Sequence, residues 1–147
     1  MTTKNPQAIP MPRIHSTYAG GIVMGVMAGQ GGAPDYLLID LGEEPEKDVT
    51  WEEANAWAAS VGGDLPTRRE QALMFGNRAE GQYKPRWYWS GEQHAIQPAW
   101  AWIQTFSTGG RDYGHKGSHY RARAVRRVPC QVALDPAVSS DARALIA

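Results

Sequence analysis

The pattern of apolar and polar positions changes along the chain. Over residues 21–41 the pattern predicts a pair of strands. Residues 21–27 and 36–41 are mostly apolar runs of strand length. The segment between them, Gln30-Gly31-Gly32-Ala33-Pro34-Asp35, has strong turn chemistry. The sequence therefore predicts a β-hairpin near the N-terminus.

Two helices are predicted next, each with its start encoded as a capping box. In this motif a threonine side chain and a glutamate three residues later each bond the other's backbone N–H, and Thr50 with Glu53 and Thr67 with Glu70 have the required spacing. The first helix should run to about Val61 and the second should end near Gly76. One buried face is expected on the first helix, formed by Trp51, Ala54, Trp57, Ala58 and Val61. Arg68 and Arg69 are expected on the solvated face of the second.

Short strands are predicted after a polar loop at 79–86, over residues 87–90, 99–106, 111–115 and 119–127. In the strand at 99–106 the alternation does not decide which face is buried. In the strand at 119–127, Ala122 and Ala124 alternate with Arg121 and Arg123. This pattern predicts small side chains on one side and long cationic stems on the other. A short helix is also predicted over residues 139–146.

Length and composition indicate one α+β domain of 147 residues with an extension at each end. Pro6, Pro10 and Pro12 predict an extended arm over residues 1–18, followed by a domain at 19–128 and a tail at 129–147. The single cysteine, Cys130, excludes an intramolecular disulfide and a multi-thiolate metal site. No apolar run of membrane-spanning length and no secretion signal is found, so we expect neither membrane insertion nor signal-directed export.

Charge is distributed unevenly although the formal net charge is zero. Residues 1–65 contain three basic and nine acidic residues, whereas residues 66–128 contain eleven basic and four acidic ones. The asymmetry predicts either complementary faces that pair within one fold or a surface for an acidic partner. We favour internal pairing, because opposite charges usually interleave in a compact domain.

A set of motifs along residues 20–128 resembles the C-terminal domain of bacterial collagen-like adhesins of the Lcl type and, more distantly, C-type-lectin-like variable proteins such as phage tropism determinants. The motifs are Leu65-Pro66-Thr67-Arg68-x-Glu70, Tyr88-Trp89-Ser90, Ala99-Trp100, Phe106-x-x-Gly109, Lys116 and Arg121-x-Arg123-Ala124-Val125-Arg126. The resemblance implies a C-type-lectin-like α+β fold, with two helices packed on short antiparallel sheets, non-enzymatic ligand binding, and frequent trimers at a cell or virion surface.

The chain departs from that resemblance in ways that narrow its function. It has no collagen repeat, and it lacks the paired acid and amide tripeptides that hold Ca²⁺ in C-type lectins. Sulfatase-modifying enzymes of the same broad fold class use two cysteines, whereas this chain has one. We therefore expect no cofactor, no metal and no enzymatic activity.

Binding is expected in loops rich in polar and aromatic side chains, which supply contact area at low ordering cost. Tryptophan and arginine side chains are expected to form a rigid framework beneath them. The resemblance implies that the arginine stems cover tryptophan faces and that their heads pair with acids from the first half of the chain. The predicted binding residues are Glu92, Gln93, His94, Gln97, Arg111, Asp112, Tyr113, His115, Ser118, His119 and Tyr120. The predicted framework residues are Trp51, Trp57, Trp89, Trp100, Trp102, Arg121 and Arg123.

Three other functions are less well supported by the sequence. A zinc site at His115 and His119 requires a kink, because four residues of strand separate them by about 13 Å. A hydrolase built from Asp112, His115 and Ser118 lacks a nucleophile elbow. Nucleic-acid binding through the arginines after residue 120 competes with their framework role.

The sequence thus predicts a phage virion protein of the tail, baseplate or capsid decoration that binds a host-surface glycan or protein, or another virion protein. Assembly in the host cytoplasm and self-association, with a trimer favoured, are part of this hypothesis. The alternatives are a free glycan- or protein-binding module and a nucleic-acid-binding factor.

Overall fold

A computed structural model describes residues 11–134, which form an α+β arrangement of two antiparallel sheets and three helices. The predicted helix at 139–146 and most of the predicted arm lie outside the described residues. The elements in chain order are β1 (Thr17–Tyr18), β2 (Gly21–Met27), β3 (Tyr36–Asp40), α1 (Trp51–Ser60), α2 (Arg68–Gly76), β4 (Trp87–Gln93), β5 (Trp100–Thr105), β6 (Arg111–His115), β7 (Val125–Pro129) and α3 (Cys130–Leu134).

The first sheet has the strand order β1-β2-β3-β7 and contains the predicted hairpin, which is confirmed as β2 and β3. Its two faces are both apolar. Met24 and Leu38 face α2 and the second sheet. Val23 and Leu37 lie on the opposite face, where Ala133 of α3 completes a separate cluster. Met11 packs against that far cluster, so the chain enters the described region behind the first sheet.

Both helices form where the capping boxes predict them. Thr50 accepts a hydrogen bond from the backbone N–H of Glu53 at 3.3 Å, and Thr67 accepts one from that of Glu70 at 3.1 Å. Ala54 and Ala58 are fully buried in the core. The indoles of α1, Trp51 and Trp57, are only half-buried at the margin of that core.

The expectation for Arg68 is wrong, whereas Arg69 is exposed as predicted. Arg68 is half-buried, because its guanidinium lies 4.2 Å from the centre of the Trp102 ring. An apolar ring that would otherwise face water draws the cation to its face.

The second sheet has the order β4-β5-β6, and its register settles the orientation of β5. Ala101 and Ile103 are buried against the core, so Trp100 and Trp102 project from the other face. Gln104, also on that face, is covered by α2, where its side-chain amide donates to the carbonyl of Gln71 at 3.0 Å.

The last strand begins at Val125 rather than at the predicted residue 119. Residues 119–124 are extended but form no continuous ladder, because they bridge two different segments. Tyr120 pairs with Val49, and Arg121 pairs with Tyr88. The predicted alternation holds: Ala122 and Ala124 lie in the core while the neighbouring arginines point toward acids.

The internal pairing of charge predicted from the two halves is confirmed. Arg121 bonds Glu44 at 2.7 Å and Asp48 at 3.3 Å, and Arg123 bonds Glu44 at 2.8 Å. Arg127 bonds Glu70 at 2.6 Å as well as Asp64 at 2.8 Å. Paired, hydrogen-bonded charges of this kind can be buried where isolated ones cannot. The cationic stretch is therefore a structural framework inside the fold.

Candidate binding surface

Five rings gather on the outward face of β5 and β6 and at its margin, and together we call them the aromatic surface: His94, Trp100, Trp102, Tyr113 and His115. The register of the two strands brings these side chains together, since Trp100 lies opposite His115 and Trp102 opposite Tyr113. The ring centres are 5.5 Å apart in the first pair and 4.4 Å apart in the second. Both pairs meet edge to face, a geometry that aromatic rings favour.

The loop between β4 and β5 adds His94 to this surface and is fixed by its own hydrogen bonds. The Nδ1 atom of His94 accepts from the backbone N–H groups of Ile96 at 3.1 Å and Gln97 at 3.0 Å. An accepting Nδ1 places the ring proton on Nε2. The imidazole stacks on Trp102, with the centres 6.1 Å apart, and meets the edge of Tyr113 at 4.3 Å.

Trp102 forms the base of the aromatic surface, and Arg68 covers the part of it that the other rings leave open. Arg68 is held by Glu92, whose carboxylate accepts from its Nε at 2.9 Å and from its backbone N–H at 2.9 Å. The carboxylate of Glu92 is therefore committed to α2. Glu92, one of the predicted binding residues, thus positions Arg68 over the ring of Trp102.

A groove of about 330 Å³ opens on the aromatic surface, lined by His94, Gln97, Trp100 and Tyr113. Trp100 is 38% exposed and Tyr113 is 42% exposed, while Ile96 in the adjoining loop is 80% exposed. Within the described residues, neither the indole N–H of Trp100 nor the hydroxyl of Tyr113 has a hydrogen-bond partner. The groove thus combines apolar contact area with donors that no internal acceptor occupies.

A second, larger hollow of about 520 Å³ lies where α1 begins, lined by Thr50, Trp51, Glu52, Asn55, Lys116 and Gly117. Lys116 closes one side, since its ammonium lies 4.4 Å from the centre of the Trp51 ring and donates to Gln93 at 2.5 Å. Trp51 donates its indole N–H to the carbonyl of Ser90 at 2.9 Å. The Trp51 indole N–H and the Lys116 ammonium thus have partners within the fold, unlike the Trp100 indole N–H and the Tyr113 hydroxyl of the groove.

The predicted binding residues fall into two groups. Those that share the aromatic surface or its margin are His94, Gln97, Arg111, Tyr113 and His115. Among the others, Glu92 bonds Arg68 and Asp112 lies on the opposite face of β6. Tyr120 is half-buried edge-on to Trp89, with the ring centres 5.0 Å apart, so it packs against the core. Ser118 and His119 follow the turn after β6 and lie toward α1, and Gln93 is held by Lys116.

Of the predicted framework residues, Trp100 is exposed on the aromatic surface, and Trp102 is half-buried there beneath Arg68. The other predicted framework residues lie in or against the core. The signal was present in the sequence as the alternation of Trp100 and Trp102 with the small Ala101 and the aliphatic Ile103. The alternation shows that these residues lie on opposite faces of β5, but nothing in the sequence shows which face is covered by the rest of the fold.

The structure also places the three residues of the hydrolase alternative, Asp112, His115 and Ser118. Asp112 and His115 stand on opposite faces of β6, because side chains three apart on a strand alternate sides. Ser118 lies in the turn that follows, where its backbone N–H donates to the carbonyl of His115 at 2.8 Å. The three side chains are not assembled as a triad. Between residues 11 and 134, no cluster of three or more potential metal ligands occurs.

The chain matches no known family model and no curated protein. In the part of the chain that the structure describes, no helix has the length and apolar character needed to cross a bilayer.

Proposed function

We propose that the protein is a non-enzymatic recognition module of a phage virion, with a C-type-lectin-like domain that binds its partner on the aromatic surface. The observation that carries this proposal is the pair of exposed rings, Trp100 and Tyr113, whose polar tips are unoccupied beside a preformed groove. Exposed aromatic side chains with few rotatable bonds lose little entropy on binding, and they dominate the energetics of many interfaces.

The C-type-lectin-like part of the proposal is supported by the order of elements. A hairpin, two capped helices and short antiparallel strands follow one another as the resemblance implies. The virion part depends on that resemblance and on the proline-rich arm. A tail, baseplate or capsid-decoration role requires such a module to bind a host-surface glycan or protein, or a neighbouring virion protein.

Rigidity supports recognition by this surface. The loop at 94–99 is held by the two hydrogen bonds to His94, and the carbonyl of Trp100 accepts from the backbone N–H of His94 at 2.8 Å. A loop with this internal support is ordered before it meets a ligand, so binding carries a small entropic cost.

Removal of the two exposed rings tests the proposal. The probe is a printed array of bacterial surface polysaccharides and purified virion proteins. The Trp100→Ala, Tyr113→Ala double variant should lose about tenfold or more in affinity for every target that the unaltered chain binds. The matched control is Val26→Ala, which removes an exposed apolar side chain from β2. Unchanged binding by the double variant would refute the assignment of the aromatic surface.

A further inference from the structure

The groove on the aromatic surface has a chemistry that restricts its occupant. Its four lining side chains, His94, Gln97, Trp100 and Tyr113, include no permanently charged group. The available hydrogen-bonding groups include two donors without internal acceptors, the Trp100 indole N–H and the Tyr113 hydroxyl. A ligand that suits this groove is uncharged, partly apolar and rich in acceptors.

A polyproline-type segment has these properties. Proline lacks a backbone N–H but keeps its carbonyl, and the polyproline II helix makes no internal hydrogen bonds, so its carbonyls are free to accept. Such segments dock in aromatic-lined grooves because their backbone is already extended, which reduces the entropy lost on binding. Residues 5–10 of this chain, Asn5-Pro6-Gln7-Ala8-Ile9-Pro10, are uncharged and have two prolines that frame the apolar pair Ala8 and Ile9.

We infer that residues 6–10 of one copy of the chain dock in the aromatic groove of a second copy. This inference rests on the proposed function, because it names the partner of the same surface. Trp100 and Tyr113 contact the prolines and Ile9, and their N–H and O–H groups donate to carbonyls of the docked segment.

The point where the arm joins the domain favours a second copy over the same one. Met11 packs on the face of the first sheet opposite α2, whereas the groove lies on the second sheet, on the face that α2 covers at Gln104. Layers of secondary structure are spaced by about 10 Å, so a straight path through both layers is about 20 Å and a path around them is longer. Five residues of polyproline helix, from Pro6 to Met11, extend only about 16 Å.

This contact joins two different surfaces, the arm of one copy and the groove of the next. An interface of that kind closes into a ring when its rotation permits. A closed ring of three is the trimer that the sequence analysis favours.

Disulfide trapping between two copies that have cysteine at different positions tests the inference. All variants are made in the full chain with Cys130→Ser, which removes the native thiol. One copy has Ile9→Cys and the other has Gln97→Cys, at an exposed groove position. Mixed under mild oxidation, they should form a dimer whose linked peptides, identified by mass spectrometry, join residues 9 and 97. The matched control is Ala56→Cys, on the exposed side of α1, which should form about tenfold less linked product with the Ile9→Cys copy.

Two further variants assign the trapping to the groove. Adding Trp100→Ala to the Gln97→Cys copy should reduce linkage at least about tenfold, as should Pro6→Ala with Pro10→Ala in the Ile9→Cys copy. Thr3→Ala, outside the docked segment, should leave linkage unchanged. Linkage no greater than that of the Ala56→Cys control overturns the inference, and so does linkage that survives Trp100→Ala. If linkage is absent while Trp100→Ala still abolishes binding to the polysaccharide array, this inference fails and the proposed function stands. If Trp100→Ala reduces neither the linkage nor binding to the polysaccharide array, both this inference and the proposed function fail.

Discussion

Two of the groups of contacting aromatic side chains among residues 11–134 differ in what their polar ends do. The buried aromatic cluster consists of Phe75, Tyr83, Tyr88 and Phe106, and its hydroxyls are anchored. Tyr83 donates to Asp40 at 2.7 Å and Tyr88 donates to Glu44 at 2.6 Å. In the aromatic surface, by contrast, the Trp100 indole N–H and the Tyr113 hydroxyl have no acceptor among residues 11–134.

The difference shows that ring packing alone does not separate core from binding surface in this fold. Tyr88 and Phe106 have their centres 4.9 Å apart, and Trp102 and Tyr113 have theirs 4.4 Å apart. The buried hydroxyls help hold the carboxylates that pair with the arginine framework. Burial and the adjacent Glu44 carboxylate raise the pKa of Tyr88 to about 12, so its hydroxyl remains a donor throughout the neutral range. In the proposed function, the open rings donate to an external acceptor.

Deletion of a central buried ring should produce the largest effect. Phe106→Ala is expected to lower the free energy of unfolding by about 3–5 kcal/mol, because Phe106 contacts Phe75, Tyr83 and Tyr88 and its removal leaves a cavity. The matched change on the aromatic surface, Trp100→Ala, should cost less than about 1 kcal/mol. Urea denaturation of both variants measures the contrast. Equal losses would mean that the two ring groups are not energetically distinct.

The next largest loss of stability is expected when Glu70, which binds the Tyr36 hydroxyl, is replaced. Glu70 is fully buried and accepts hydrogen bonds from Arg127 at 2.6 Å and from the Tyr36 hydroxyl. Burial alone would raise the pKa of Glu70, but the bonds from Arg127 and Tyr36 outweigh it, so the pKa lies below the usual value of 4.5. Glu70→Gln should destabilise the fold by about 3 kcal/mol at pH 7, since it leaves the Arg127 charge poorly paired.

The pH dependence of that variant follows from the direction of the pKa shift. A carboxylate whose pKa is lowered on folding contributes its stability above the unfolded-state pKa and loses it as the pH falls through the folded-state pKa. The gap in unfolding free energy between the unaltered chain and Glu70→Gln should therefore be constant near neutrality and shrink below about pH 4.5. A gap that widens on acidification would contradict this assignment.

A change of one hydroxyl tests the comparison most directly. Tyr83→Phe removes a buried donor from Asp40 and should cost about 2 kcal/mol, as expected for a hydrogen bond to a charged group. Tyr113→Phe should leave stability unchanged but weaken binding to the partner, because only its hydroxyl is lost. Thermal unfolding should therefore detect a loss only in Tyr83→Phe, and the binding assay should detect a loss only in Tyr113→Phe. A measurable loss of stability in Tyr113→Phe would show that its hydroxyl has an internal partner.

Much of this fold could be predicted from local chemistry. The two capping boxes located both helices, because Thr50 and Thr67 each satisfy backbone groups within one turn. The glycine-rich turn located the hairpin, and the charge asymmetry anticipated that Arg121 and Arg123 would bond acids of the first half. The caps and the turn involve residues that are close in sequence. The arginine pairs could be anticipated because the excess of basic residues in one half matches an excess of acidic residues in the other.

Features that depend on three-dimensional neighbours were missed. Period 2 in β5 put Trp100 and Trp102 on one face, but only the position of α2 decides that Gln104 on that same face is covered. The early start predicted for the last strand failed because Tyr120 and Arg121 bridge two segments that are distant in sequence. The position of Tyr120 against the core has the same origin, since Trp89 lies against it.

The smallest effect is expected at the boundary between the two aromatic groups, where Arg68 covers Trp102. Arg68→Lys keeps the positive charge but loses the planar guanidinium that lies on the indole and bonds Glu92. Because the pair is partly exposed, the cost in stability should be about 0.5 kcal/mol. The greater exposure of Trp102 should shift tryptophan emission to longer wavelength, whereas Arg69→Lys on the solvated side of α2 serves as a control without a shift. A loss of several kcal/mol in Arg68→Lys would place Trp102 in the core and move the boundary of the aromatic surface outward.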